Sequence, residues 1–349
     1  MKDLKIILRD TGAILLTVGV ATFLVNIVSL LFKEHEGMVW ITATALTFLV
    51  VGGVFRLLGG RENGEPKIKH AMVIAAISWL VISLISSIPF YFIENMDFLS
   101  SFFESVAGWT GTGLTMITHE EGLTYTIQFW RTFTQWVGGV GVIVLTLIIL
   151  ARPGTGSFTL YRSEARDEKI HPSIISTVKS IWWIFLLYTG IAIAALLVAG
   201  MPVWEAINHA MTGLSTGGFS VKDDSIASYG VIAQIVLIPV MVAGAISFAA
   251  HYDLLNGRIK KFFKDAQTQA LLFIVFSGMV ALTLLNMDSY SNFMQSFKYS
   301  AFQFASALTC TGFQTANIAS WLPSSKMILS FAMVIGGAAG STAGGIKLF

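Results

Sequence analysis

Three short clusters of hydroxyl residues and glycine recur along this sequence, and their composition suits the dehydration of a cation. They read Thr110-Gly111-Thr112-Gly113-Leu114-Thr115, Ser215-Thr216-Gly217-Gly218-Phe219-Ser220 and Thr309-Cys310-Thr311-Gly312-Phe313-Gln314. Each opens on a small hydroxyl residue, carries glycine fourth and places a bulky apolar residue fifth. The aligned glycines Gly113, Gly218 and Gly312 stand 105 and 94 residues apart, and nine residues before each lies a polar side chain: Glu104, His209 and Gln303. A cation that leaves water must find replacement oxygens, which rings of backbone carbonyls supply in ion filters. Glycine tolerates the backbone angles that aim consecutive carbonyls at one axis. Thr and Ser add neutral oxygens that do not trap the ion. Glycine and threonine also serve close helix packing in membranes, but one offset repeated three times favours the ion path. The spacing does not name the ion.

The elements that must position these clusters are membrane helices. Of 349 residues, 54% are hydrophobic and 12% charged, with 32 glycines and a formal net charge of +2; mean hydropathy is +0.72. Soluble domains carry about 25% charged residues, so a cytosolic enzyme, a nucleic-acid-binding domain and a disordered tail are excluded. A single cysteine, Cys310, excludes a disulfide scaffold or cysteine metal cluster. A bilayer-crossing helix needs about 20 apolar residues. Seven charge-free stretches fit: Thr11–Phe32, Met38–Phe55, Ala71–Ile93, Thr132–Ala151, Ser180–Trp204, Tyr229–Ala250 and Ala266–Met287. An eighth, Met327–Ile346, is interrupted by Gly336, Gly337, Gly340, Gly344 and Gly345, which predicts a break, since each glycine costs about 1 kcal/mol in a helix interior. The first stretch reads as a retained helix rather than a cleaved signal. With the N-terminus cytoplasmic, 17 of the 22 Lys and Arg residues fall in inner loops, which sets the orientation of a multi-pass protein; the expected location is the cell (inner) membrane.

Asp97–Thr118, Pro202–Ser220 and Asn292–Thr315 on the outer side are too short and too polar at their ends to cross. They read as re-entrant half-helices followed by loops, and irregular backbone at that depth must line a polar path. Each repeat opens from a basic inner loop, so the repeats are parallel rather than inverted. The expected fold is an all-α polytopic membrane protein. Its tandem parallel repeats of span, pore helix, filter loop and span surround a central pore, after two extra N-terminal spans. The expected divisions are 1–65 for the two N-terminal helices, then 66–155, 156–258 and 259–349 for three repeats.

Remaining residues are read as follows. Glu104, a carboxylate inside a half-helix, needs a partner or water and is expected to brace the first filter, with surface exposure as the alternative. Arg131 is expected to snorkel to headgroups. The six histidines show no i,i+4 pairing, so no metal site is expected. Cys310 reads as a small neutral replacement for Thr or Ser. No nucleophile–base constellation emerges, so no enzyme is expected. The mixed-charge inner loop Arg152–Lys179 offers a docking site for a soluble partner, or a contact with anionic lipid.

The segments GWTGTGLTMIT, HAMTGLSTGGFS, ASALTCTGFQTANIASW and GGAAGSTAGGIK resemble the membrane subunit of the Trk/Ktr potassium-uptake family, and the two extra N-terminal spans are similar to its Trk branch. The resemblance covers essentially the whole chain. It implies K+ as the transported ion and a filter formed by Thr110, Gly111, Thr112, Gly113, Ser215, Thr216, Gly217, Gly218, Thr309, Cys310, Thr311 and Gly312. Gly113, where sodium-admitting relatives often have serine, implies K+ preference. It further implies a gate in the broken span, at Gly336, Gly337, Gly340, Ser341, Thr342, Gly344 and Gly345. The implied partners are a second copy of the chain in a homodimer, membrane lipid and a cytoplasmic ring of nucleotide-binding regulatory subunits with RCK domains. No cofactor is expected in this chain and no nucleic acid. The family carries four filter segments, whereas Phe349 lies 37 residues after Gly312. The expectation is therefore that a fourth repeat is absent from this chain, which would not conduct alone. The competing expectations are a non-transporting scaffold derived from such a pore, and symport of K+ with Na+ or H+.

Overall fold

The computed structural model describes residues 2–60, 68–150 and 174–348. The expected divisions at 65/66 and 155/156 lie outside these residues, as does most of the inner loop Arg152–Lys179. Among the described residues the structure is helical, apart from an isolated bridge between Ala338 and Leu348. The chain forms two compact units, one of 1–134 with 145–161 and the other of 135–144 with 162–349.

In the first unit, α1 (Lys2–Thr22), α2 (Asn26–Leu31) and α3 (His35–Gly59) form the N-terminal hairpin. Its crossing is close because Gly12 faces the backbone of Gly52 and Arg56, and Gly59 faces that of Arg9; small residues permit such approach between membrane helices. After α4 (Ile68–Ser86) and α5 (Ile88–Ile93) comes α6 (Phe98–Thr110). Asp97 caps α6, accepting from the amides of Leu99 (3.0 Å) and Ser100 (3.1 Å). At 13 residues, α6 is about 20 Å long, short of the ~30 Å hydrocarbon core. Helix α7 (Tyr125–Leu150) follows, its residues 125–134 and 145–150 in this unit. The Glu34 carboxylate caps its start, accepting from the amides of Tyr125 (2.9 Å) and Thr126 (2.8 Å).

The second unit contains α8 (Ile174–Val198), the half-helix α9 (Val203–Leu214), α10 (Val231–Ala245), α11 (Phe248–Leu255), α12 (Ile259–Lys264), α13 (Ala266–Leu285), the half-helix α14 (Phe293–Leu308) and α15 (Pro323–Ile335). The stretch expected to form one span over Tyr229–Ala250 is broken: α10 and α11 meet at 107°. The break falls at Ile246 and Ser247, where Ser247 Oγ caps α11 by accepting from the Ala249 amide (3.3 Å). The span expected over Met327–Ile346 ends as a helix at Ile335, and Gly336 adopts a φ of 73°. Among the described residues, five continuous segments are long and apolar enough to cross a membrane: Asp3–Leu31, His35–Gly59, Lys69–Ile93, Ser176–Val198 and Ala266–Leu285. Their outward faces carry apolar side chains such as Leu57, Trp183, Val198 and Phe273, each more than 70% exposed, as a lipid-facing surface requires.

Candidate functional site

Each half-helix ends in the same way, and the cause is local. The second residue of each cluster is left-handed: Gly111 (φ 66°), Thr216 (52°) and Cys310 (55°). The amide of the third residue then reaches back five residues, Thr112 to Ala107 O (3.1 Å), Gly217 to Thr212 O (2.9 Å) and Thr311 to Ser306 O (2.9 Å). This is the Schellman closure that satisfies the last helical carbonyls. The fourth residue is left-handed again: Gly113 (73°), Gly218 (78°) and Gly312 (91°). The cap does not require that second reversal. For Thr216 and Cys310 the left-handed state costs about 1–2 kcal/mol, and such strain concentrates at functional sites.

The polar residue nine before the fourth-position glycine of each cluster ties its half-helix to the chain returning from the loop. In the first unit, Glu104 is fully buried and accepts from Thr115 Oγ1 (2.9 Å), the Met116 amide (2.9 Å) and Arg131 Nε (2.8 Å). In the second unit, His209 Nδ1 donates to Glu205 O (2.8 Å), leaving Nε2 to accept from Ser220 Oγ (2.8 Å). Gln303 Oε1 accepts from the Thr315 amide (3.0 Å). The partner thus lies eleven or twelve residues ahead each time. Arg131 departs from the expectation of snorkelling: it is 1% exposed and is the ionic partner of Glu104. Buried charge must be paired, and the nearby carboxylate supplies the pair.

The side chains of the clusters fall into two patterns. Thr110 Oγ1 donates to Val106 O (2.7 Å) and so accepts from Thr112 Oγ1 (2.7 Å). Thr309 Oγ1 donates to Ala305 O (2.8 Å) and so accepts from Thr311 Oγ1 (2.7 Å). The second cluster has glycine, Gly217, where the others have that third threonine. Here Gln135 of α7 supplies the polar contact, with Nε2 donating to Gly217 O (2.7 Å) and Oε1 accepting from the Phe219 amide (2.9 Å). Sequence reading missed Gln135, because nothing in its position on an apolar helix shows which loop it faces. Within the second unit the two loops are joined: the Ile226 amide donates to Gln314 O (3.0 Å), and the Gln314 amide to Ser225 Oγ (3.1 Å). Gly218 lies so close to the Thr311 carbonyl that a Cβ would collide with it.

The glycine-rich segment 336–348 folds back against the break between α10 and α11. Ala338 N donates to Ala245 O (2.8 Å), Thr342 N to Gly244 O (3.1 Å) and Phe248 N to Gly340 O (3.1 Å). Thr342 Oγ1 lies within hydrogen-bond distance of Gly244 O (2.8 Å), Leu214 O (3.0 Å) and Thr216 Oγ1 (3.2 Å). Gly336, Gly337 and Gly345 sit where a Cβ would strike neighbouring backbone or Ala343, while Gly340 is left-handed (φ 71°). Gly344 faces Cys310, and Cys310 Sγ donates to Met333 O (3.4 Å). Ser341 Oγ donates to Ala338 O (2.6 Å), and Lys347 Nζ donates to the carbonyls of Ser341 and Ala343.

Lipid-exposed helices, short capped half-helices and neutral loops with repeated left-handed residues define a multi-pass α-helical membrane protein. The family model described as TrkH, cation transport protein, matches residues 38–349. The chain belongs to this TrkH family. An uncharacterised cation transporter of Methanocaldococcus jannaschii is 38% identical over 99% of this chain and 71% of its own length. The Trk system potassium uptake protein TrkH of Escherichia coli K12 is 32% identical over 99% of this chain and 73% of its own. The crystal structure of the potassium transporter TrkH from Vibrio parahaemolyticus superimposes with a TM-score of 0.87 at 30% identity, covering 98% of this chain and 72% of that one.

Proposed function

We propose that this protein is a pore-forming subunit for K+ uptake, with the filter at Thr110–Gly113, Ser215–Gly218 and Thr309–Gly312. The observation that carries the reading is the pair of left-handed residues at the second and fourth positions of all three clusters. A positive φ between negative ones turns the next peptide over, so successive carbonyls can face one side instead of spiralling. Oxygens held that way replace a hydration shell without charge. The relatives named for potassium uptake support K+ as the ion.

In this reading the segment Gly336–Gly345 is the gate: it is bonded to the end of α9 and to Thr216 of the second cluster through Thr342. Glu104 with Arg131 supports the first loop. The subunit works in the inner membrane with its N-terminus cytoplasmic, as a homodimer acting with a cytoplasmic nucleotide-binding regulatory ring. The divisions 66–155, 156–258 and 259–349 are its three pore repeats.

The test is growth at low potassium of a strain devoid of its own importers. Rescue by the gene, lost on Gly113→Asp or Gly218→Asp, is the expected result. Rescue indifferent to both substitutions would sink the filter assignment.

A further inference from the structure

The second cluster departs from the other two at one position, and the departure has a compensating residue elsewhere in the chain. Gly217 lacks the hydroxyl that Thr112 and Thr311 direct at the first residue of their clusters. Gln135, fully buried, stands in that space: a Cβ on Gly217 would lie 2.5 Å from its Cδ and Oε1. Its amide straddles Gly218, donating to the carbonyl before it and accepting from the amide after it. Only one orientation of the amide serves both partners, since a flipped group would set NH2 against N–H and oxygen against oxygen. The neighbouring turn of α7 is equally close, as Gly139 sits where a Cβ would be 3.0 Å from Ser215 Cβ.

We infer that Gln135 is a positioning residue that determines ion specificity in the second loop, by fixing which way the Gly217 carbonyl and the Phe219 amide face. The inference rests on the filter reading above. Oxygens at one level of a cation path must be held at a set distance to favour one ion over a smaller one. In the first and third clusters a hydroxyl pair within the loop does this; in the second the holding group is borrowed from α7. The Gly217 carbonyl gives a lone pair to Gln135, so any ligation it offers depends on where that amide sits.

The experiment uses the purified full chain in detergent and follows its thermal stability against KCl, NaCl and choline chloride. Wild type is expected to be stabilised by K+ at lower concentration than by Na+, with choline inert. Gln135→Leu should raise the half-saturating K+ concentration about tenfold, the size of a lost buried hydrogen bond, and shrink the K+/Na+ preference. Gly217→Thr alone should do the same by collision with Gln135. Gln135→Ala combined with Gly217→Thr, which rebuilds the pattern of the other clusters, should restore the preference. If Gln135→Leu does not fold, Gln135→Met, similar in length and without either polar group of the amide, must show the K+ shift. Unchanged K+ and Na+ concentrations in the folded Gln135 variant, or a double variant no better than Gly217→Thr, overturn the inference. A wild type indifferent to K+ against Na+ overturns the filter reading itself, and the inference with it.

Discussion

The first and second loops share a backbone and are held by opposite chemistry. Around the first, Glu104 and Arg131 form a buried ion pair at 2.8 Å, their side chains 0% and 2% exposed. Around the second, a neutral set of His209, Ser220 and Gln135 makes the corresponding contacts. Their fifth residues differ as well: Leu114 is 61% exposed, Phe219 3%. The repeated conformation is therefore set by the half-helix closure and by glycine, and the bracing chemistry is free to vary. A charged brace brings a large penalty when half of it is lost; a neutral brace does not.

Four tests sharpen this contrast, from the strongest effect to the weakest. Arg131→Leu strands the buried Glu104 carboxylate and should cost about 3–5 kcal/mol, read as a collapse of the detergent melting temperature. Adding Glu104→Gln to it should recover more than half of the loss. Next, Gly218→Ala should cost about 3 kcal/mol, left-handed strain plus collision with the Thr311 carbonyl. Gly312→Ala, with a similar φ but open space around it, should cost only about 1–2 kcal/mol; equal melting temperatures for the two would show that loops two and three do not meet as described. Third, His209→Leu leaves Ser220 without its ring partner, at about 1–2 kcal/mol, so the neutral brace should prove weaker than the ionic one in the same assay. Last, Thr342→Val removes the hydroxyl held by Leu214 and Gly244, at about 1 kcal/mol. Its clearer signature should be faster rubidium influx, since the segment proposed as the gate loses its side-chain tie to the second loop.

Much of this molecule is readable along the chain, because the informative features are local. The half-helices at 98–110, 203–214 and 293–308 follow from short apolar runs ending in hydroxyl and glycine. The interruption after Ile335 follows from five glycines in ten residues. What resisted reading depends on neighbours distant in sequence. Arg131 looks like a headgroup anchor until the Glu104 carboxylate, 27 residues earlier, is placed beside it. Gln135 is one polar residue on an apolar helix, and its partners lie 82 and 84 residues away. The bend at Ile246 and Ser247 carries no proline or glycine at the break itself; its cause is the set of backbone groups that the glycine segment satisfies there.

That bend has a mechanical corollary. In an unbroken helix the carbonyls of Ala243, Gly244 and Ala245 would receive the amides four residues on. Here they receive His251 Nε2, Thr342 and Ala338 instead. Straightening α10 into α11 and keeping the glycine segment seated draw on the same two acceptors, Gly244 O and Ala245 O, so neither can be completed without undoing the other. A rod and its latch are made to compete for one set of oxygens.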